Sequence, residues 1–125
     1  MNVLIVEDER ITRGWLGRLA RKAYRDCCVT TAETLEEAQA HIGDRGVGKL
    51  DIVLLDLGLP DGDGDRLLPM IRARHPKCLV AIVTIEDDAA RVRRAVTNGV
   101  DGYLLKDQDE DSLLAALAGL VAGAP

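Results

Sequence analysis

IVLLDLGLP, residues 52–60, contains four consecutive apolar residues that end at an aspartate, Asp56. A continuous apolar run of this length is typical of a strand that is buried on both faces of a sheet. Comparable runs occur at residues 3–6, 79–83 and 103–105, with a weaker one at residues 28–31. The sequence therefore predicts five buried strands.

Segments with the apolar spacing of amphipathic helices follow these runs. Their apolar positions are Ile11, Trp15, Leu19 and Ala23; Leu35, Ala38 and Ile42; Leu67, Leu68 and Ile71; Val92, Ala95 and Val96; and Leu113, Leu117 and Leu120. Strands that alternate with helices through short connections form a parallel sheet with helices on both faces. We expect an open, doubly wound α/β fold with five helices, in which ligands bind at the carboxyl ends of the strands.

Length and composition limit the classes of protein that this chain fits. A chain of 125 residues with 47% hydrophobic residues suits one domain with a normal core. Sixteen basic and 21 acidic residues give a net charge of −5, the wrong sign for a surface that neutralises nucleic-acid phosphates. The longest uncharged stretch, residues 112–125, is too short to span a bilayer, and the N-terminus lacks a basic signal-peptide region. We therefore expect a cytoplasmic domain that binds neither nucleic acid nor membrane.

Polar residues follow four of the predicted strands. Glu7 and Asp8 follow the first strand, Asp56 the third, Thr84 the fourth and Lys106 the fifth. Because the carboxyl ends of parallel strands lie along one edge of a sheet, we expect these side chains to converge. Each of them alone also fits an ordinary role as a helix cap or a solvated surface charge. Their joint position at one edge indicates a functional site.

The charges at this edge point to phosphoryl chemistry with a metal ion. Two carboxylates about 4 Å apart repel by about 4 kcal/mol at an effective dielectric constant of 20, so three of them need compensating cations. Lys106 supplies one positive charge, and hard oxygen donors with open positions suit Mg²⁺. Asp56 would act as a carboxylate nucleophile, while Lys106 and the Thr84 hydroxyl donate to the incoming phosphoryl oxygens. We expect an in-line phosphoryl transfer.

These residues stand in motifs that extend along nearly the whole chain. The motifs are VEDE at residues 6–9, LDLGLP at residues 55–60 with Asp63 and Gly64 after it, VT at residues 83–84 and NGVDGYLLKD at residues 98–107. On these motifs the chain resembles the response-regulator receiver family of two-component systems, and the last motif is most similar to the NarL-type subfamily. The resemblance implies a flavodoxin-like sheet with strand order 2-1-3-4-5. Residues 1–121 would form the receiver domain, and residues 122–125 the start of a linker or C-terminal tail.

The resemblance also implies a metal site around the phosphorylated residue. Asp56 would be the phospho-acceptor. Asp8, Asp56 and the backbone carbonyl of Gly58 would be the direct Mg²⁺ ligands. Glu7, which stands where the family has an aspartate, would act through water.

A second implied group of residues binds the phosphoryl group and reports its presence. Lys106 and Thr84 would bind the phosphoryl oxygens, and Tyr103 would be the switch aromatic that moves inward when Thr84 is drawn towards them. Ile85 replaces a small residue of the family, and we expect it to slow entry and loss of the phosphoryl group. Asp107 replaces a proline, so a cis peptide bond after Lys106 would cost about 2.5 to 4 kcal/mol.

The resemblance implies a histidine kinase as phosphodonor, a C-terminal helix-turn-helix output domain that regulates transcription, and a homodimer as a further assembly. The chain would be a signalling domain that catalyses only its own phosphorylation and dephosphorylation. The alternative is a pseudo-receiver that binds partners without phosphate. An aspartyl phosphatase is disfavoured because Gly58 stands where it needs a second acid. A flavodoxin-like electron carrier is disfavoured because the acids at residues 7–9 would repel a bound phosphate.

Overall fold

The computed structural model describes residues 1–43, 48–84 and 89–122. Five strands of the described chain form one parallel sheet, with spatial order 2-1-3-4-5, as predicted. The strands are β1 (Asn2–Val6), β2 (Cys28–Ala32), β3 (Ile52–Leu55), β4 (Leu79–Thr84) and β5 (Gly102–Leu105). A two-residue antiparallel pair, Gly58–Leu59 with Gly62–Asp63, follows β3 and was not predicted.

In the part of the chain that the structure describes, five α-helices cover the two faces of this sheet. They are α1 (Arg10–Ala23), α2 (Leu35–Gly43), α3 (Leu68–Arg74), α4 (Ala89–Thr97) and α5 (Glu110–Ala122), and a 3₁₀ turn at Gly64–Leu67 leads into α3. Helices α1 and α5 share one hydrophobic cluster with the sheet, while α2, α3 and α4 share the other. None of the described helices is both long and apolar enough to span a membrane.

The two-sided burial of the sheet explains the continuous apolar runs of the sequence. In β1, Val3 and Ile5 pack towards α1 and α5, whereas Leu4 and Val6 pack towards α2 and α3. Successive side chains of a strand point to opposite faces, so a strand covered on both sides needs apolar residues at every position. All four of these side chains are at most 1% exposed.

Two of the apolar positions that fit the helical spacing lie on the surface. Ile11 is 77% exposed and Val96 is 55% exposed. A step of four residues advances about 40° beyond a full helical turn, so Ile11 lies about 80° away from Leu19 around α1. The buried stripe of α1 therefore passes through Leu16, Leu19 and Ala20. In α4 the neighbouring Ala95 is the buried residue, and the side chain of Val92 lies outside the described part.

Helix α2 is capped by Thr34, directly before it, and by Asp61, which lies far from it in the sequence. The Thr34 hydroxyl accepts a hydrogen bond from the Glu37 N–H at 3.1 Å, which is an N-cap contact. The Asp61 carboxylate also accepts hydrogen bonds from the N–H groups of Leu35 at 2.8 Å and Glu36 at 3.1 Å. These hydrogen bonds lower the pKa of Asp61 from its usual value, and the one from Leu35 has the largest effect. The loop after β3 is thereby fastened to the start of α2.

Gly64 lies directly against the backbone at the end of β3. A Cβ atom on Gly64 would stand 2.0 Å from the Asp56 carbonyl oxygen and 3.0 Å from Leu55 Cδ1. The Gly64 N–H donates to the Leu57 carbonyl at 2.9 Å. Only a glycine fits this position without moving the backbone of Asp56.

We predict that Gly64→Ala lowers the free energy of unfolding by about 1 to 3 kcal/mol or more, because backbone atoms cannot turn aside for the added methyl group. Gly14→Ala is the matched control. Its Cβ would meet only the end of the Arg18 side chain, at 3.7 Å, so it should stabilise helix α1 by about 0.5 to 1 kcal/mol. Urea unfolding of both variants measures the two effects. Equal effects of the two substitutions would contradict the close approach at Gly64.

Candidate functional site

Three carboxylates meet at the carboxyl edge of the sheet. Glu7 and Asp8 follow β1, and Asp56 follows β3. Val6 and Leu55 are paired in register, so the residues after them emerge side by side. One oxygen from each of the three carboxylates lies within 4.8 Å of the others. The structure thus brings together the three acids that the sequence places at this edge.

Glu7 is the innermost of the three acids. It is 1% exposed, and its Oε1 accepts a short hydrogen bond from Lys106 Nζ, with which it forms an ion pair. Its other oxygen accepts from the Glu9 N–H at 3.2 Å. A buried carboxylate is stable only when it is paired and hydrogen-bonded. Lys106 and the turn after β1 meet both requirements.

The Asp56 carboxylate is held on two sides. Its Oδ1 accepts a hydrogen bond from the Gly58 N–H at 3.2 Å. Its Oδ2 lies 3.5 Å from Lys106 Nζ, and the side chain is 13% exposed. Lys106 therefore bridges Asp56 and Glu7, and the orientation of the Asp56 carboxylate is fixed by a backbone donor and a charge.

Asp8 is the exposed acid of the cluster. Partial desolvation raises its pKa above the usual value, and a hydrogen bond with Glu7 and the Glu7 charge act in the same direction. The nearby positive charge of Lys106 opposes this shift. Ionised Asp8 is therefore less favourable in the folded chain than in the unfolded one.

Thr84 lies on β4, the strand next to β3, and Tyr103 lies on β5, one strand further from Asp56. Thr84 is the last residue of β4 and is 6% exposed, and its carbonyl accepts a hydrogen bond from the Lys106 N–H at 2.8 Å. Tyr103, on β5, is 50% exposed. Tyr103 is one of the residues along a surface groove between β5 and α5. Ile85 lies outside the described residues.

Two supporting residues were not predicted from the sequence. The Arg13 guanidinium donates to the backbone carbonyls of Glu7 at 3.1 Å and Asp8 at 3.3 Å, and pairs with Glu33 at 2.8 Å. It thereby holds the turn that carries two of the acids. Glu9 caps α1, since its carboxylate accepts from the N–H of Thr12 at 2.6 Å.

The sequence signals that could have identified Glu9 and Arg13 differ in strength. An acid just before a helix is a recognised N-cap signal, so the role of Glu9 was within reach of the sequence. Hydrogen bonds from Thr12 lower the pKa of Glu9, as expected for a cap. An arginine within a helix is most often a solvated charge, and no sequence pattern distinguishes Arg13 from the other arginines of α1.

The donor set of the cluster fits a hard divalent cation. Three carboxylates offer oxygen ligands on an edge that remains partly open, with Asp8 exposed and Asp56 of intermediate burial. Oxygen donors of this kind are the ligands that Mg²⁺ prefers, and Mg²⁺ usually keeps several waters. Lys106 supplies one positive charge, which leaves the cluster of three acids negative.

A comparison with protein-family models gives one match, the response regulator receiver domain, over residues 3–118. Among curated proteins, the transcriptional regulatory protein PmrA of Pectobacterium parmentieri is 35% identical over 122 residues, which is 97% of this chain and 52% of that protein. The chain covers between 27% and 54% of the length of the first curated relatives that it matches. It therefore corresponds to one part of each relative.

Solved structures give the same result for the fold. A LuxR-family two-component response regulator from Aurantimonas sp. SI85-9A1 superposes with a TM-score of 0.82 at 28% identity, covering 98% of this chain and 85% of that one. A response regulator from Burkholderia pseudomallei superposes with a TM-score of 0.76 at 28% identity, covering 97% and 69%. That crystal structure contains a phosphorylated aspartic acid, a calcium ion and citrate.

We predict that Asp8→Asn raises Tm by a few degrees at neutral pH in the presence of EDTA. The pKa of Asp8 is raised in the folded state, so its ionised form opposes folding, and the amide removes that penalty. In the wild type this penalty decreases as the pH falls through the pKa of Asp8 in the folded state. It is absent below the ordinary aspartate pKa of 3.8. The gap in Tm between the two proteins should close over that range.

The matched control is Asp107→Asn, which removes an exposed acid next to Lys106. It should leave Tm nearly unchanged at every pH. Thermal unfolding of the three proteins over a pH series gives the comparison. A lower Tm for Asp8→Asn at neutral pH would mean that Asp8 stabilises the fold, against this prediction.

Proposed function

This chain belongs to the response regulator receiver family, and we propose that it accepts a phosphoryl group from a histidine kinase on Asp56. The observation that carries the proposal is the position of the Asp56 carboxylate, between the Gly58 N–H and Lys106 Nζ at the end of a buried strand. A carboxylate oxygen in that position is a nucleophile with a cation beside it. We further propose that the modified domain switches an output domain or a partner.

In the proposed transfer, an Asp56 oxygen bonds to phosphorus while the bond from phosphorus to the histidine nitrogen of the donor breaks. The electron pair of the broken bond stays on that nitrogen, and the product is an acyl phosphate. The ionised carboxylate has no proton to lose, so the step needs no general base on this chain. Lys106 Nζ lies 3.5 Å from Asp56 Oδ2, where it can donate to the phosphoryl oxygens and stabilise their charge.

Lys106 has a second partner besides Asp56, so phosphoryl transfer to Asp56 would affect an existing ion pair. It is paired with Glu7 as well as with Asp56. A phosphoryl group carries about −1.5 to −2 charge at neutral pH if it ionises like other protein phosphoryl groups. The added charge would compete with Glu7 for Lys106. We propose that the Thr84 hydroxyl then donates to a phosphoryl oxygen and that Tyr103, now half exposed, moves inward to follow it.

The acid cluster is the proposed site for Mg²⁺. Asp8, Asp56 and the Gly58 carbonyl would hold the ion directly, and Glu7 would act through water. When bound, Mg²⁺ would neutralise charge on the phosphoryl oxygens. Glu7 is well suited to an indirect role, because Lys106 and the Glu9 N–H already engage both of its oxygens. Arg13 would keep the turn that carries Glu7 and Asp8 in place.

The relatives support a role in gene regulation. The curated relatives include several transcriptional regulatory proteins, and this chain aligns with about half of their length. We propose that the full-length protein carries a DNA-binding output domain after residues 122–125, in a cytoplasmic regulator that dimerises. The solved relatives include both LuxR-family regulators and an OmpR/PhoB homolog, so the NarL-type assignment stays a prediction. Nothing in these matches favours a pseudo-receiver.

We predict that incubation with acetyl phosphate and Mg²⁺ adds the mass of one phosphoryl group to the wild-type chain and none to Asp56→Asn. The amide has nearly the same shape as the carboxylate, but it lacks the negatively charged oxygen that would act as the nucleophile. Asp107→Asn, which removes an exposed acid next to Lys106 in the sequence, should label fully. Intact-mass spectrometry measures the mass gain of all three proteins. Stoichiometric labelling of Asp56→Asn would refute Asp56 as the acceptor, and an unlabelled wild type would favour the pseudo-receiver.

We predict that Mg²⁺ binds with a dissociation constant on the order of 1 mM or below, because an open site with few protein ligands leaves several waters on the ion. In a ¹⁵N NMR titration the largest amide shifts should fall on Asp8, Asp56 and Gly58. Asp8→Asn should weaken binding about tenfold or more, whereas Asp107→Asn should not. Shifts that avoid these residues would place the ion elsewhere.

A further inference from the structure

A groove beside helix α1 contains a concentration of arginine. It lies between α1 and β2 and has a volume of about 510 Å³. Four arginines line it, and no acidic residue does: Arg10, Arg13, Arg18 and Arg21. The chain as a whole carries a net charge of −5. The groove is thus a local positive surface on an acidic protein.

Three of these arginines have no anionic partner in the described chain. Arg13 pairs with Glu33 at 2.8 Å. Within residues 1–43, 48–84 and 89–122, none of the ion pairs involves Arg10, Arg18 or Arg21. All three are exposed. Their charges are therefore available to a ligand in the groove.

Two glycines of α1 make room for these side chains. A Cβ atom on Gly14 would lie 3.7 Å from a terminal guanidinium nitrogen of Arg18, and one on Gly17 would lie 3.3 Å from that of Arg21. The two guanidinium groups thus lie over the glycines, along the helix and inside the groove. A Cβ on Gly17 would also lie 4.0 Å from Val29 Cγ1 of β2. The helix and the strand approach each other closely there.

The other wall of the groove is a free sheet edge. Strand β2 pairs only with β1 in the described sheet. The Cys28 N–H donates to the Met1 carbonyl at 2.8 Å, and the Ala32 carbonyl accepts from the Glu7 N–H at 2.9 Å. Alternate residues of a strand direct their backbone polar groups to the same side. The N–H and C=O groups of the intervening Val29 and Thr31 therefore point away from β1, and the side chains of both line the groove.

We propose that this groove binds an extended acidic peptide segment of a partner protein, a role beyond phosphoryl acceptance. The segment would add a strand to the free edge of β2 through Val29 and Thr31, as peptides do on other open sheet edges. Alternate side chains of an added strand face the same side of the sheet. Acidic residues at every second position would therefore meet Arg10, Arg18 and Arg21.

The chemistry of the groove favours this occupant over two others. A second copy of this chain, pairing β2 with β2, would bring two sets of unpaired arginines together, and like charges at an interface are costly. A nucleic acid could meet the arginines, but its phosphodiester backbone has no N–H donor for the outward carbonyls of Val29 and Thr31. A peptide backbone offers donors as well as acceptors, and carboxylates match the arginines.

The test uses ¹⁵N NMR titration with a blocked hexapeptide of alternating Glu and Thr. We expect the largest amide shifts at Val29 and Thr31 and an affinity that falls as salt is added. Arg18→Gln with Arg21→Gln should weaken binding about tenfold. Arg74→Gln with Lys77→Gln is the matched control, since it removes two exposed charges at the end of α3. That control should bind like the wild type.

A second peptide separates strand addition from simple attraction of anions. It has the same sequence but is N-methylated at alternate residues, which removes the amides that would pair with β2, and we expect it not to bind. The proposal is overturned by equal binding of the methylated peptide, by the same shifts with inorganic pyrophosphate, or by equal weakening in the two double variants. The absence of shifts at Val29 and Thr31 with millimolar peptide also overturns it.

Discussion

The ion pair between Lys106 and Glu7 is the interaction on which the site depends. Glu7 is 1% exposed, and a carboxylate at that depth is costly unless a cation and hydrogen bonds compensate it. Lys106 also lies 3.5 Å from Asp56, so one ammonium group serves two acids. The arrangement keeps Asp56 oriented but leaves the cluster with an excess of negative charge. A site built in this way favours cations. Partial desolvation is the main cause of the raised pKa of Asp8, and the negative charge of Glu7 adds to it.

Strand register and two tertiary contacts place these charges. The Asp56 N–H donates to the Val6 carbonyl at 2.9 Å, so the acids after β1 and β3 are fixed by the pairing of the two strands. Lys106 is placed in the same way, through its N–H bond to Thr84. Beneath them, Gly64 lies against the Asp56 carbonyl and Arg13 holds the turn of Glu7. Precision at the site thus comes from backbone contacts, while the side chains supply the charge.

The sequence predicted the parts of the structure that depend on local pattern. The strands were found because two-sided burial requires unbroken apolar runs, and the converging acids because parallel strands end at one edge. The exposure of Ile11 and Val96 was not predicted from their spacing, since steps of four residues drift around a helix. The cap by Asp61, the close approach of Gly64 and the contacts of Arg13 were missed. Each of them joins residues that the fold alone brings together, and none has a periodic signal.

Helix α1 connects the acidic site and the arginine groove, and their charges are opposite. Arg13 lines the groove and also donates to the Glu7 and Asp8 carbonyls, so the two regions share a wall. Charges on a protein surface influence each other over about 10 Å at 0.1 M salt. Arg10 is two residues from Asp8, whereas Arg18 and Arg21 lie about 12 and 17 Å further along the helix, so of the three unpaired arginines Arg10 is the one near enough to favour the added negative charge of a phosphoryl group. Coupling between two sites is reciprocal. An acidic segment that engages Arg10 and a phosphoryl group on Asp56 would therefore compete for the same positive charge, and the two would oppose each other through this residue.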